Sequence, residues 1–381
     1  MPDQATYGNW KEVVVDGHTC ELFEPSQRNE HGYVAIYLHG VHLGKLWNSS
    51  AFVEQFERLG LPVIAPVTER SWWTDRICPE FDRERSAQTY LLESVLPFVE
   101  AEYDAKTPKI ALFGTSMGGQ GSLRFAYKFP DVFPVVAGVS PAIDYQNRMR
   151  EDDEDNLWQM YDNAEQARQD TTTLHIHPLN WPRNQFFCCC PEDTSWWESS
   201  DRLRMKLESL GVPHSCDLET KGGGHGFNYY SLMAPKVVQF LWDSLEKERR
   251  RKLMLIIPTL DRSGAEKQLT LLAKGLPRDQ FDVSVCCLTR GGPYSEELTS
   301  SGIPVTVIGK KLKIDPAAYW RLKKHIQEVR PDIVHTWIFA ANSYGRKAAH
   351  AAGVKHILCG ERCVDPWKIT HEHLIDRYLD R

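Results

Sequence analysis

A serine hydroxyl attacks a carbonyl only when a base takes its proton and its approach is uncrowded. The segment KIALFGTSMGGQGSLRFAYKFP meets the second condition in its sequence: an apolar run enters Gly114-Thr115-Ser116-Met117-Gly118, and helix-compatible residues follow as far as Pro130. This is a G-x-S-x-G turn in strand-to-helix context. Glycines two before and two after relieve crowding, and the backbone N–H groups of the helix start face a developing oxyanion. A glycine-rich turn with an incidental serine is the plainer reading, and the flanking strand and helix argue against it.

Such a serine needs an acid after a late strand and then a loop histidine. Asp193 follows FFCCCPE at an expected strand end, where a carboxylate can orient an imidazole; Glu192 competes with it, and a helix-capping role is the alternative. His225 sits in KGGGHGF, whose glycines let the loop approach the serine; a solvent-facing turn histidine is its alternative. His175, His177 and His214 fit the pattern less well. For the oxyanion we expect the N–H of Met117 and that of Val41, from the His39-Gly40-Val41 loop that ends the apolar run beginning at Tyr33. His39 itself is expected to shape that loop, although HG also reads as an ordinary turn.

Positioning these residues requires a sheet with helices around it. YVAIYLHG, Leu61 to Val67, Lys109 to Gly114, Val132 to Val139 and Phe186 to Cys190 read as strands buried on both faces. Leu91, Val95, Phe98 and Val99 recur at helical spacing between Ser86 and Tyr103, with Pro97 as an expected kink. Ser200 to Leu210 reads as another helix. The alternation implies an α/β fold with a mainly parallel sheet.

A chain of 381 residues is long for one core, and 42% hydrophobic with 25% charged residues fits a soluble globular protein of two domains. The charged run SLEKERRRK leads directly into LMLIIPTL, which places the junction near Arg250 and divides the chain into 1–250 and 251–381. After it, strands at Leu253, Asp282 to Leu288, Pro304 to Ile308, Asp332 to Trp337 and His356 to Cys359 alternate with helices, the first from about Gly264. No short-period repeat relates the halves.

A net charge of -6 gives no basis for binding nucleic acid or an anionic membrane. The amino terminus lacks a basic region followed by an apolar core, and no run nears the roughly 20 apolar residues of a spanning helix, so a cytoplasmic protein is expected. Ten cysteines include Cys188, Cys189, Cys190, Cys286 and Cys287 in strand-like runs, where they read as buried thiols. Cys359 and Cys363 are too far apart for a Cys-x-x-Cys pair, so no metal is expected. Trp47, Trp72, Trp73, Trp181, Trp196 and Trp197 offer either a cleft lining or core packing. EDDED, from Glu151 to Asp155, reads as a solvated face.

Residues about 30 to 245 resemble the Putative esterase family that includes esterase D and S-formylglutathione hydrolase. LHG, GTSMGGQGSLRFA, the aspartate of CPED and the histidine of GGGHGF carry the resemblance. It implies an α/β-hydrolase in which Ser116, Asp193 and His225 occupy the triad positions. The implied reaction is hydrolysis of small-molecule carboxylic esters or thioesters through an acyl-enzyme, with no cofactor. VHLGKLWNSS after LHG departs from the formylglutathione-specific members.

KLMLIIPTLDRSGAEKQLTLLAKGL, with PDIVHTW later, resembles the start of the Rossmann-like amino-terminal domain of family 4 glycosyltransferases of the two-domain GT-B type. This resemblance implies a nucleotide-sugar or acceptor site at Gly264, Glu266 and His335, with the helix start at Ser263-Gly264-Ala265-Glu266 facing a phosphate. A plain helix start is the alternative. Trp337 stands where many relatives have a second histidine. The sequence ends after LIDRYLDR, so the family's second Rossmann domain is expected to be missing and a partner glycosyltransferase polypeptide would have to complete the site. The leading expectation is therefore a serine esterase or thioesterase, with a carbohydrate-linked ester as one attractive substrate. The alternatives are a glycosyltransferase fragment with an accessory hydrolase half, and a non-catalytic binding protein.

Overall fold

The computed structural model describes residues 7–150 and 155–361, so most of EDDED, and Cys363, lie outside the described residues. Chain contacts divide the protein into two compact units, Met1–Glu248 and Arg249–Arg381.

The first unit is built on eight strands: β1 (Trp10–Val15), β2 (His18–Phe23), β3 (Val34–Leu38), β4 (Val63–Pro66), β5 (Ile110–Thr115), β6 (Val135–Val139), β7 (Asn184–Cys188) and β8 (Ser215–Asp217). Their order across the sheet is β1-β2-β4-β3-β5-β6-β7-β8. Strands β3 to β8 pair in parallel, whereas β2 is antiparallel to both β1 and β4. The β1–β2 hairpin is absent from the sequence reading because its outer strand is half exposed and mixed in polarity, as an edge strand can be.

The apolar runs are explained by alternation. Val34, Ile36 and Leu38 face one core, with Leu112 and Phe187, while Ala35 and Tyr37 face the other, with Phe113 and Phe186. A strand covered on both faces has no polar side, so its sequence shows no period of two.

Several expected boundaries shift. Val132 and Phe133 belong to a turn closed by their N–H groups on the Phe129 carbonyl, and β6 starts only at Val135. β7 runs from Asn184 to Cys188 and stops before Cys189 and Cys190. The helix expected from Ser200 begins at Trp197. Pro97 falls in the first turn of the helix Leu96–Tyr103, directly after a π-turn at Leu91–Val95. Proline has no N–H to return to the preceding turn, and the wider turn absorbs that gap where a kink was expected.

The second unit carries β9 (Arg251–Ile257), β10 (Phe281–Cys287), β11 (Val305–Val307), β12 (Ile333–Trp337) and β13 (His356–Gly360), all parallel, in the order β11-β10-β9-β12-β13. Cys286 and Cys287 are buried on opposite faces of this sheet, as Cys188 and Cys189 are in the first unit. All nine described cysteines are free thiols, and burial pushes that of Cys188 up to about 12.

Candidate active site

The first unit's polar residues meet at the carboxyl ends of its central strands. β5 turns through Ser116 into the helix Met117–Lys128, and Ser116 is held at φ 55, ψ -118 while almost fully buried. A non-glycine residue in that region costs on the order of 1–3 kcal/mol and persists only where its surroundings over-determine it. Here they do. The Ser116 N–H donates to the Val139 carbonyl, and the Ser116 carbonyl accepts from Gln120 and Ala142.

The turn is also sterically closed. A Cβ on Gly114 would lie 2.2 Å from the Gly118 carbonyl oxygen, and one on Gly118 would lie 1.8 Å from the Leu38 carbonyl oxygen. Both positions therefore demand glycine because of close backbone approach.

His225 joins Ser116 to Asp193. Its Nδ1 lies 2.7 Å from Asp193 Oδ2 and its Nε2 lies 2.9 Å from Ser116 Oγ. Because a carboxylate only accepts, Nδ1 carries the proton and Nε2 is left as the acceptor. Asp193 is buried, with Oδ1 accepting from the Ser195 and Trp196 N–H groups and Oδ2 also accepting from the Cys189 thiol. Asp193 is thus no helix cap, since the helix Trp197–Ser209 has Trp196 at its N-cap without a side-chain bond; Oδ1 closes the turn before that helix and Oδ2 meets the imidazole. Glu192 is turned away, with its carboxylate near the Cys190 thiol and the Gly223 N–H.

The other histidines are committed elsewhere: His175 to Asp170, His177 to the Leu179 N–H, and His214 to the Val212 carbonyl. Asp217, a second acid at a late strand end, is held down to about 2 despite its burial by Lys236 and Thr220.

His39 does shape the loop. Its Nε2 accepts from the Thr68 N–H at 3.0 Å, which leaves Nδ1 to donate to the Gly40 carbonyl at 2.9 Å. Burial lowers its pKa to about 4, so the ring is neutral and this tautomer is fixed. The Gly40 carbonyl also accepts from Leu43, and a planar trans peptide then turns the Val41 N–H the opposite way. Gly40 packs against Ser116, since a Cβ on it would lie 3.2 Å from Ser116 Cβ. Met117 is the first residue of its helix, so its N–H has no carbonyl one turn earlier to bond.

Among the tryptophans, Trp72, Trp73 and Trp196 are buried. Trp73 donates from Nε1 to the His39 carbonyl and fills the space beside Gly121, which makes it a loop anchor. Trp197 donates to the Leu218 carbonyl, and Trp47 packs edge-on against Trp10. One residue at the site escaped the sequence reading: the Tyr230 hydroxyl lies 3.0 Å from His225 Nε2. The signal available was a tyrosine pair four and five residues after the histidine, a spacing that also serves a helix core.

In the second unit, Gly264 opens the helix Gly264–Gly275 after β9. The Glu266 carboxylate is buried and accepts from the Thr259 and Ser263 hydroxyls. His335 lies on β12 in register with Leu255, its ring 5.0 Å from that of Trp337. Among the described residues no cluster of three or more His, Cys, Asp or Glu could hold a metal, and no helix is long and apolar enough to cross a membrane.

Residues 18–233 match the Putative esterase family and residues 262–360 match Glycosyltransferase Family 4. Comparison with curated proteins gave no match. Among solved structures, the substrate-bound FphF of Staphylococcus aureus, a fluorophosphonate-binding serine hydrolase, aligns with a TM-score of 0.50 at 16% identity, over 61% of this chain and 99% of its own. A ferulic acid esterase aligns at 0.51 and 15% identity, over 62% and 97%. An S-formylglutathione hydrolase from Agrobacterium tumefaciens aligns at 0.49 and 15% identity, over 62% and 93%. The fold is that of an α/β-hydrolase, followed by a parallel α/β sheet. With more than half of its length matched, the chain belongs to the Putative esterase family and is a hydrolase.

Proposed function

We propose that the protein is a serine carboxylesterase or thioesterase working through an acyl-enzyme, with Ser116 as nucleophile, His225 as base and then acid, and Asp193 as the group that orients His225. The unbroken relay of 2.7 and 2.9 Å contacts from Asp193 through His225 to a strained, buried Ser116 carries this reading. As Ser116 Oγ bonds to the ester carbon, its proton passes to His225 Nε2 and the carbonyl electrons move to oxygen. The resulting oxyanion is met by the Met117 and Val41 N–H groups. Its collapse expels the alcohol or thiol, which takes the proton from Nε2. Water then repeats the sequence on the acyl-serine, and the Asp193 carboxylate stabilises the imidazolium in both halves without itself being protonated.

A carbohydrate-linked ester is the substrate class that would give the esterase and the family 4-like segment a common task. The test is labelling by a fluorophosphonate probe with the label mapped to Ser116, together with turnover of p-nitrophenyl acetate. Ser116→Ala should abolish both, a loss on the order of 10⁶-fold in kcat. Undiminished hydrolysis in Ser116→Ala would overturn the proposal. A panel of aryl, thiol and sugar acetates then ranks the leaving groups.

A further inference from the structure

His225 has a valence problem. With its Nδ1 proton given to Asp193, Nε2 offers one lone pair, yet two hydroxyls stand beside it: Ser116 Oγ at 2.9 Å and Tyr230 Oη at 3.0 Å. Only one of them can direct its proton at that lone pair. The other must turn its proton to a different acceptor. When Ser116 points at Nε2, as attack requires, the Tyr230 proton is left for an acceptor that arrives beside Nε2.

Tyr230 is fixed in this position. It is 4% exposed, it sits in the first turns of the helix Phe227–Glu248, and its ring meets His225 edge-on at 5.7 Å and Phe227 at 5.4 Å. Burial and the nearby Tyr37 and Asp193 keep its hydroxyl protonated far above the ordinary tyrosine range, so it remains a neutral donor.

Resting on the Ser116–His225–Asp193 reading, we infer that Tyr230 is a further catalytic residue: it donates its O–H to the departing oxygen of the ester as that bond breaks. The departing oxygen must lie beside Nε2 to collect its proton, and Tyr230 Oη already occupies the neighbouring place. Atoms balance without it. The Ser116 proton moves to Nε2 and from there to the leaving group, while Tyr230 keeps its own proton and contributes a hydrogen bond to the oxygen on which charge builds. Its contribution therefore grows as the leaving oxygen becomes more basic.

The experiment compares kcat/KM for wild type and Tyr230→Phe across p-nitrophenyl, phenyl and p-methoxyphenyl acetates. We expect a loss of about 2-fold for the nitrophenyl ester rising to about 30-fold for the methoxyphenyl ester, below the roughly 10²–10³-fold of a donor to a full oxyanion because the leaving oxygen carries only part of a charge. A loss equal across the series, or none, would assign Tyr230 to packing alone and overturn the inference. Fluorophosphonate labelling of Tyr230→Phe at wild-type stoichiometry shows that Ser116 is still active, and a wild type that takes no label points instead to failure of the triad reading. Replacing Tyr230 with 3-fluorotyrosine, a stronger donor of the same shape, should shift the leaving-group slope the other way; an unchanged slope there too would overturn it.

Discussion

Two turns that look alike in sequence, GTSMG at Ser116 and DRSGAE at Ser263, do opposite things with their polar groups. Each ends a buried central strand, β5 or β9, and each starts a helix. At Ser116 the partners come from far along the chain: His225 is 109 residues away and Asp193 is 32 residues from His225. At Ser263 the buried Glu266 is held by Thr259 and Ser263, seven and three residues away. A buried carboxylate held by hydroxyls of its own turn fixes that turn locally. At Ser116 the contacts instead span the chain and converge on a strained residue, and that is the difference the two turns teach.

The comparison can be broken most severely at Asp193. Asp193→Asn keeps the shape but lets His225 adopt the wrong tautomer, and kcat for p-nitrophenyl acetate should fall about 10⁴-fold. Glu192→Gln, one residue earlier, should leave it within about 2-fold, since its carboxylate faces away from the imidazole. Equal losses in the two variants would remove Asp193 from its assigned place.

Next in size is the glycine pair. Gly118→Ala forces a methyl into the Leu38 carbonyl and should cost more than about 4 kcal/mol, read as loss of folded protein in urea titrations. Gly264→Ala, with nothing within 4 Å of its new methyl, should instead stabilise the second unit by about 0.4–1 kcal/mol, the smallest effect in this set.

Between these lies His39. Its folded pKa of about 4 is below the unfolded value of about 6.5, so the unfolded chain binds a proton first and stability falls as pH drops through that window. Between pH 7.5 and pH 5 the loss should be about 2 kcal/mol. His39→Gln, which can still accept from the Thr68 N–H, should flatten that part of the urea midpoint against pH curve. An unaltered curve would mean that His39 is not held neutral.

What the residues alone made legible follows the same division between near and far. The Ser116 turn, the Met117 helix start and the alternation of strands and helices are local patterns, and each is written within a dozen residues. Asp193 and His225 were reachable because the glycine loop and the late strand are themselves local signals. Tyr230 was not, because its spacing serves a helix core equally well and only the fold brings its hydroxyl to Nε2. The π-turn at Leu91–Val95 and the β1–β2 hairpin escaped for a related reason: Pro97 announces an irregularity without naming its form, and an edge strand lacks the apolar run that marks a central one. The helix-capping alternative for Asp193 falls because the next helix has its N-cap three residues on, at Trp196, a boundary that spacing alone did not fix.

The backbone packing around Ser116 also bears on how such an enzyme could be re-engineered. Gly114, Gly118 and Gly119 press main chain against main chain, so a side chain at any of them strikes Leu38, Val139 or another of the glycines. The floor of the site is closed to mutation, and a library randomised there returns misfolded clones. New substrate preferences must be selected from the walls, where side chains can change without moving the backbone around Ser116.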